Sequence, residues 1–196
     1  MVPAPPAKPD APNVRDRLLD GAVEAAADVG LAKLSMGDAA RRAGLSRQTL
    51  YRYFPTRDAL VFEAVSREVL DLARQVNEAR TGIEDPARAL EVSLAAALGA
   101  ARTHPLLDRL LRTEPEALLP LVTTEGGPVL RMVRVIVDEV LGEHSPLPEG
   151  ERRRRLADVI ARLLISYATT VPDESPEAVA AGITELLMPQ LNRPAG

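Results

Sequence analysis

The chain contains no cysteine and no tryptophan, and aromatic residues make up only 3% of its 196 residues. Without cysteine, neither a disulfide framework nor a thiolate metal site can form, which fits a reducing cytoplasm. The N-terminus has no apolar signal core, and no segment approaches the roughly 18 uninterrupted apolar residues of a membrane-spanning helix. We therefore expect a cytoplasmic protein that has no membrane partner.

Sequence features of enzyme active sites are also missing. There is no serine within a glycine elbow and no glycine-rich loop that could hold a phosphate. The two histidines, His104 and His144, stand near prolines at predicted helix ends, and neither has the spacing to carboxylates that a metal site needs. We expect His104 to cap a helix C-terminus, with a place in a ligand cavity as the alternative. We predict that the chain is not an enzyme and that it holds no cofactor or metal.

The residues that are abundant favour helices. Alanine and leucine abound, whereas β-branched runs and Asn-Gly hairpin signals are missing, so we predict an all-α fold. The length allows one sizeable core or two small ones. The formal net charge of -4 argues against a protein that coats DNA without sequence preference, because such proteins need an overall positive charge.

The most informative part of the chain is residues 34–60, whose sequence is LSMGDAARRAGLSRQTLYRYFPTRDAL. Ser35, with Asp38 in the first turn, predicts a capped helix start close to a capping box. Gly44 suits the left-handed conformation that often ends a helix, and Ser46 is a good N-cap for the next helix. These signals predict two short helices joined by a tight turn, a helix-turn-helix.

The second of these helices is predicted over residues 47–53. Pro55 disfavours helical geometry at Phe54, so the helix should end there. Thr56 can then cap a third, longer helix that begins at Arg57.

The outward residues of the second helix have the chemistry of a DNA-binding surface. At about 100° per residue, Gln48 and Arg52 point away from the buried Leu50. Leu45 and Phe54 lie on the inner side with Leu50 and hold the helix in place. Glutamine and arginine can make paired hydrogen bonds with adenine and guanine edges in the major groove. We therefore expect Gln48 and Arg52 to contact bases.

Positive charge is concentrated in the same segment. Residues 36–57 contain five arginines and one aspartate, although the whole chain is acidic. Phosphate binding requires a local excess of positive charge of this kind. DNA binding is therefore the function that this segment predicts.

The same segment resembles the TetR family of bacterial transcriptional regulators. It departs from the usual pattern of the family at Arg57, where lysine is most common, and at Pro55. The match is specific, because a glycine, two caps and an aromatic pair must all keep the same spacing. The residues that carry it are Gly30, Ser35, Met36, Ala39, Ala40, Ala43, Gly44, Leu45, Ser46, Thr49 to Phe54 and Thr56 to Leu60.

The resemblance implies an N-terminal three-helix helix-turn-helix DNA-binding domain, residues 14–60. It further implies a C-terminal helical ligand-binding and dimerisation domain, residues 61–196, with about nine helices in the whole chain. Residues 1–13 contain five prolines and are predicted to be a disordered tail. The residues expected to contact DNA are Ser35, Ser46, Arg47, Gln48, Thr49, Tyr51, Arg52, Tyr53 and Arg57.

Helix signals continue to the C-terminus, with Asp85 and Pro86 as a cap and first residue of one helix and Pro189 as the limit of the last. The expected helices cover residues 57–79, 86–103, part of 106–122, 128–142, 151–170 and 176–188. By resemblance, the last two helices of each subunit form a four-helix dimer interface. Its apolar surface would come from Leu156, Val159, Ile160, Leu163, Leu164, Tyr167, Val179, Ile183, Leu186 and Leu187.

The middle helices are where the resemblance places a ligand cavity, and a closed aliphatic core is the alternative. Because the region is poor in aromatic residues, a cavity there would suit an aliphatic or acyl-like ligand better than a flat cation. Arg112 or Arg131 could then bind an acidic head group. The candidate ligand residues are Ser93, Leu94, Arg112, Arg131 and Tyr167.

We thus predict a ligand-responsive transcriptional regulator of the bacterial cytoplasm, a repressor that binds a pseudo-palindromic operator as a homodimer. It would associate with the nucleoid when bound to this double-stranded DNA, and its effector is an unidentified small molecule. One alternative is a DNA-binding activator or architectural protein without an effector. A less favoured alternative is a helical small-molecule carrier or enzyme with a vestigial helix-turn-helix.

Overall fold

The computed structural model describes residues 13–116, 118, 127–144 and 150–191. Apart from Asn13, the tail that we predict to be disordered lies outside this part of the chain. The described residues form helices and connecting turns only, which confirms the all-α prediction, and none of their helices is long and apolar enough to cross a membrane. Their nine helices are α1 Val14–Val29, α2 Met36–Arg42, α3 Arg47–Tyr53, α4 Arg57–Arg80, α5 Pro86–Thr103, α6 Pro105–Thr113, α7 Pro128–His144, α8 Glu151–Thr169 and α9 Pro176–Leu191.

The chain divides into two compact units. The first ends at Ala64 and the second begins at Val65, so the division falls within α4, and this helix contributes residues to both. Leu60 and Ala64 are both buried. Their burial explains why the first unit extends a helical turn beyond the boundary expected after Leu60.

The short helices of the first unit begin at side-chain caps. The Ser35 Oγ accepts a hydrogen bond from the Asp38 N–H at 3.1 Å, and the Ser46 Oγ accepts one from the Thr49 N–H at 3.0 Å. Thr56 caps α4 in the same way. The Ser35 hydroxyl also donates to the Asp38 carboxylate, which holds the pKa of that carboxyl below its usual range. These caps satisfy backbone donors that the first turn leaves unpaired, and they confirm the predicted helix starts.

α1 and α2 cross at a close approach that Gly21 makes possible. A Cβ atom at this position would lie 2.5 Å from the carbonyl oxygen of Ala39 and 2.7 Å from the backbone nitrogen of Ala43. Neither distance leaves room for a side chain, so the position requires glycine. Leu18 and Ala22 are almost completely buried on the same face of α1. The absence of a side chain at Gly21 therefore determines how closely the first two helices pack.

Four helices supply the core of the second unit. α5 packs against α9, and α7 packs against α8. The Arg153 guanidinium donates two hydrogen bonds to the Asp138 carboxylate, at 3.0 and 3.1 Å, and so joins α8 to α7. The buried core residues are Leu90, Leu94, Leu98, Val137, Leu141, Leu156, Ala157, Ile160, Val179, Ala180 and Ile183.

The residues expected to form a dimer interface are divided between core and surface. Those buried in the core of the second unit are Leu156, Ile160, Val179 and Ile183. Those partly buried against this core are Leu163, Leu164, Tyr167 and Leu187. Val159 and Leu186, by contrast, are exposed to 46% and 78%. Helical spacing alone could not separate the two groups, because both lie on apolar stretches of the same helices.

The last helix does not stop before Pro189, which corrects the predicted limit. α9 continues through Pro189 to Leu191. Proline removes only the hydrogen bond that would reach the carbonyl of Glu185. Because Glu185 is exposed, water can satisfy that carbonyl and the helix can continue.

Gly21→Ala should destabilise the protein by roughly 1–3 kcal/mol, since its methyl group would meet the backbone of α2. The free energy of unfolding, measured by chemical denaturation, tests this. Gly99→Ala is the matched control, because Gly99 is also helical but a Cβ atom there meets nothing within 4 Å. That control should be neutral or stabilising by up to about 1 kcal/mol. A Gly21→Ala variant as stable as the control would contradict the close approach.

Candidate nucleic-acid interface and ligand cavity

α3 has one face buried and one face open to solvent. Leu50 and Phe54 have no exposed surface, and Leu45 is half-buried in the turn before the helix. The Arg15 guanidinium lies over the Phe54 ring, 5.1 Å from its centroid. Burial of these apolar side chains fixes the rotation of α3 about its own axis.

The opposite face of α3 presents polar side chains. Arg47, Gln48 and Arg52 are exposed, and Tyr51 keeps 53% of its surface open. Gln48 and Arg52 are separated by one helical turn and therefore lie on the same side of the helix. The Arg52 guanidinium lies 5.4 Å from the centroid of the Tyr53 ring, a contact that restrains the arginine.

Hydroxyl groups beside this face also hold the local fold. The Ser46 Oγ caps α3 and lies 2.9 Å from the Thr49 Oγ1. Ser35 and Ser46 are exposed, whereas Thr49 and Tyr53 are half-buried. These residues therefore combine a structural role with a polar surface next to the exposed residues of α3.

Several arginines of the first unit are neutralised by carboxylates. The pairs are Arg15 with Glu63, Arg41 with Asp38 and Arg42 with Asp28. Arg47 and Arg52 have no carboxylate partner within the described part of the chain, and neither does Lys33 in the turn after α1. The positive charge that remains available to a phosphate backbone is thus centred on α3.

The Arg47 guanidinium lies against Gly37 of α2. A Cβ atom at residue 37 would lie 2.5 Å from the Arg47 Nε and 2.6 Å from its guanidinium carbon. The guanidinium therefore lies over the backbone of α2. Because it is the end of a flexible side chain, it can move aside, so the contact does not require glycine. The sequence did not predict this contact, because a glycine inside a helix gives no indication of which distant side chain lies beside it.

Arg57 is directed toward the turn between α1 and α2. Its Nε donates to the carbonyl oxygen of Leu34 at 2.9 Å, and its Nη2 donates to the carbonyl oxygen of Leu31. The Arg57 side chain is 39% exposed, and its contact with DNA stays a prediction. It also has a structural role, in which it holds the turn against the start of α4. Local sequence could not indicate this, because the two carbonyls lie 23 and 26 residues away along the chain.

The second unit contains a cavity of about 230 Å³. This volume lies below the roughly 300–1,000 Å³ of typical small-molecule sites, so a small ligand fits better than a bulky one. The described lining contains no phenylalanine, tyrosine or tryptophan and is predominantly aliphatic. Representative lining residues are Leu72, Val76, Leu98, Leu110, Val133 and Leu164.

Two of the five predicted ligand residues, Ser93 and Leu94, line this cavity. Arg112, Arg131 and Tyr167 are not part of the lining. Arg112 is exposed and donates to a neighbouring carboxylate, Arg131 is exposed, and Tyr167 packs against the core of the second unit. The prediction that Arg112 or Arg131 binds an acidic head group in this cavity is therefore wrong, since neither arginine lines it. The residue types alone did not show whether these side chains point into the cavity or away from it.

Polar side chains interrupt the lining at four positions: Glu68, Ser93, His104 and Thr169. The Ser93 and Thr169 hydroxyls donate to carbonyl oxygens of their own helices, at 2.7 and 2.8 Å. The His104 Nε2 lies 3.0 Å from the Glu68 Oε2. In the described residues, no group of three or more metal-ligating side chains could hold a metal ion.

His104 occupies a helix end and the cavity wall at once. It follows the last residue of α5, which confirms the predicted C-terminal position. Its Nδ1 accepts a hydrogen bond from the Leu107 N–H at 3.4 Å at the start of α6. Because His104 also lines the cavity, the two roles considered for it are compatible.

Two family descriptions match this chain. The description "Bacterial regulatory proteins, tetR family" matches residues 18–64, and "Bacterial Tetracyclin repressor, C-terminal domain" matches residues 85–189. The chain belongs to the TetR family. The resemblance inferred from residues 34–60 is thereby confirmed. The protein is a ligand-responsive transcriptional regulator of this family, whose members are typically not enzymes.

Relatives of this TetR-family protein match along most of its length. An uncharacterised HTH-type transcriptional regulator of Mycobacterium tuberculosis is 28% identical over 174 residues, which are 89% of this chain and 83% of the relative. The regulator AlkX of the same organism is 25% identical over 183 residues, 92% of this chain and 86% of AlkX. Among solved structures, the TetR-family repressor AlkX of Dietzia sp., implicated in biodegradation of n-alkanes, is 28% identical. It superposes with a TM-score of 0.72 over 90% of this chain and 94% of that one.

Gln48→Ala should weaken operator binding by about 1–3 kcal/mol and change base preference, because the glutamine amide can pair with an adenine edge. Affinities for single-base variants of an operator obtained by in vitro selection would test this. Arg41→Ala is a suitable control, since Arg41 is exposed on the neighbouring α2 and paired with Asp38. The control should leave base preference unchanged. Equal losses on every operator variant for Gln48→Ala would reject its base-contacting role.

Proposed function

We propose that this TetR-family protein is a repressor that binds a pseudo-palindromic operator as a homodimer, with one copy of α3 in each of two successive major grooves. The proposal rests on the outer face of α3. Arg47, Gln48 and Arg52 are exposed there, and the two arginines lack carboxylate partners among the described residues. Base-contacting groups and available positive charge thus lie on one short helix. The protein would act in the bacterial cytoplasm and associate with the nucleoid when bound to DNA.

On this proposal the exposed residues divide between bases and backbone. Gln48 and Arg52 contact base edges, which gives sequence preference. Arg57 supports the turn beside them through its carbonyl contacts. The side chains that contact phosphates are Ser35, Ser46, Arg47, Thr49, Tyr51, Tyr53 and Arg57.

The homodimer would form through α8 and α9. Val159 on α8 and Leu186 on α9 are large apolar side chains that remain exposed on a single copy of the chain, the latter to 78%. Exposed apolar surface on two helices that share one core is typical of an interface between subunits. A two-fold symmetric dimer would place the same surface of both copies together and would match the symmetry of the operator.

The effector is proposed to be an uncharged aliphatic molecule in the cavity of the second unit. The described lining contains no arginine or lysine. A carboxylate head group would therefore be buried without a cation, at a cost on the order of several kcal/mol. An aliphatic chain, by contrast, gains free energy from burial against the lining. AlkX of Dietzia sp. is implicated in biodegradation of n-alkanes, which agrees with a ligand of this class.

α4 would connect the effector to DNA binding. It begins at Arg57 in the first unit, and its residues from Val65 to Val76 contribute to the cavity lining. A ligand that binds more tightly to one position of α4 would favour a dimer that no longer fits the operator. Only a difference in affinity between the two states can release DNA in this way.

In vitro selection from random double-stranded DNA at physiological salt should enrich a site with two-fold symmetry. A footprint on that site should cover both half-sites, because two copies of α3 bind equivalent sequences. Added octane or octanol should lower operator affinity and raise transcription from a promoter that overlaps the site. A planar aromatic cation should do neither, because the described lining contains no phenylalanine, tyrosine or tryptophan against which it could stack.

Two results would contradict this proposal. Operator binding that does not respond to any aliphatic compound would overturn the aliphatic class of effector and leave the operator binding in place. Binding of such compounds without enrichment of any DNA site would favour a small-molecule carrier or an enzyme.

Leu186→Glu should weaken dimerisation by at least about tenfold, since the interface would have to bury an unpaired charge. Sedimentation or light scattering over a concentration series measures the dimer dissociation constant. Leu70→Glu is the control, because Leu70 is 51% exposed on α4, outside the proposed interface. A dimer that survives both Leu186→Glu and Val159→Glu with unchanged affinity would rule out this surface as the interface.

A further inference from the structure

The described lining of the cavity in the second unit consists mostly of aliphatic side chains, and the surface that it presents is almost wholly apolar. Polar side chains occur at only four of the described lining positions, Glu68, Ser93, His104 and Thr169. What a ligand can gain from a polar group of its own depends on whether these four side chains have hydrogen-bonding groups available. Their hydrogen bonds within the protein answer this question.

The two hydroxyl groups of the described lining donate to their own helices. The Ser93 Oγ donates to the Ala89 carbonyl oxygen at 2.7 Å, and the Thr169 Oγ1 donates to the Ile165 carbonyl oxygen at 2.8 Å. A hydroxyl group has one hydrogen, so neither can also donate to a ligand. Ser93 is itself buried, so its oxygen is poorly accessible as an acceptor.

Glu68 and His104 likewise contact partners within the protein. The His104 Nε2 lies 3.0 Å from the Glu68 Oε2, and the Leu107 N–H donates to the His104 Nδ1 at 3.4 Å. Both ring nitrogens of His104 therefore have protein partners. The Arg67 Nη2 lies 3.7 Å from the other carboxylate oxygen of Glu68. Since the cavity surface is almost wholly apolar, this pair contributes little to the surface that a ligand would meet.

We propose that the cavity binds an unsubstituted aliphatic hydrocarbon, a ligand without any hydrogen-bonding group. The inference rests on the proposed function, because it takes this cavity as the effector site, and it narrows the effector from uncharged aliphatic molecules to hydrocarbons. An apolar cavity of roughly 150 Å³ is enough to hold benzene. The volume of about 230 Å³ therefore has room for a chain of about six to nine carbon atoms.

An alcohol, ether or ketone of the same length would fit less well. Its oxygen would give up hydrogen bonds to water, whereas the polar side chains of the described lining already have partners within the protein. A hydrocarbon loses no hydrogen bond when it enters the cavity, and it gains free energy from the burial of its apolar surface. Octanol should therefore act only at a higher concentration than octane.

Headspace measurements with three volatile compounds test the proposal: hexane, methyl butyl ether and pentanol, which have the same number of non-hydrogen atoms. Their dissociation constants for the wild-type protein give the preference for hexane over pentanol. This preference should match the ratio of their partition coefficients from water into cyclohexane, where a hydroxyl group finds no partner, rather than into octanol, which can hydrogen-bond. The ratios for these two solvents differ by roughly tenfold or more. The affinity for the ether should lie between those for hexane and pentanol.

Leu72→Gln should reduce this preference by about fivefold, because an amide group in the lining gives the pentanol hydroxyl a partner. Leu72 is half-buried and belongs to the described lining. Leu70→Gln is the matched control, since Leu70 lies on the same helix but is exposed and outside this lining. The control should keep the wild-type preference. If Leu72→Gln does not fold, the wild-type measurement decides alone.

Operator binding separates the ligand class from the effector role. Hexane should lower the affinity for the operator at concentrations near its own dissociation constant, because the same binding event fills the cavity and releases DNA. Fluorescence anisotropy of a labelled operator measures this effect.

The outcomes separate the two proposals. A wild-type preference that matches partition into octanol, or an unchanged preference in a folded Leu72→Gln variant, would overturn the hydrocarbon class. Each would leave the aliphatic effector site in place. Hexane binding without any change in operator affinity would leave the chemistry of the cavity in place and overturn its role as the effector site. Failure of the wild-type protein to bind all three compounds would overturn both.

Discussion

The burial of Leu50 and Phe54 is the constraint on which the first unit depends. Both side chains are completely enclosed, and this leaves α3 a single rotation in which its polar residues reach solvent. α2 packs against both α1 and α3, so the close approach at Gly21 also affects where α3 lies. A short helix with few contacts of its own is therefore held by a core made of small and aliphatic side chains.

Electrostatics then restricts where DNA can bind. The chain is acidic overall, and the arginines on α1 and α2 are largely occupied by carboxylates or carbonyl groups. Arg47 and Arg52 keep their charge available on α3, the same helix that presents Gln48. Because exposed charges more than about 10 Å apart are screened at ordinary salt, this local concentration matters more than the net charge.

The second unit has the opposite chemistry. Its cavity is aliphatic, without phenylalanine, tyrosine, tryptophan, lysine or arginine in the described lining. Such a site selects ligands by shape and by the avoidance of buried charge rather than by stacking or ion pairing. Glu68 and His104 are the only ionisable side chains in the described lining, and they contact each other, with the Glu68 Oε2 3.0 Å from the His104 Nε2.

Sequence alone determined the helical class, the caps at Ser35 and Ser46 and the outward face of α3, because each depends on neighbours within a turn or two of helix. The aliphatic lining of the cavity in the second unit also followed from composition. Tertiary structure decided what depends on distant partners: Arg57 binds carbonyls of another turn, and Glu68 meets His104 across 36 residues. Helical periodicity says which side chains share a face. Only packing decides what that face contacts, because its partners come from elsewhere in the chain.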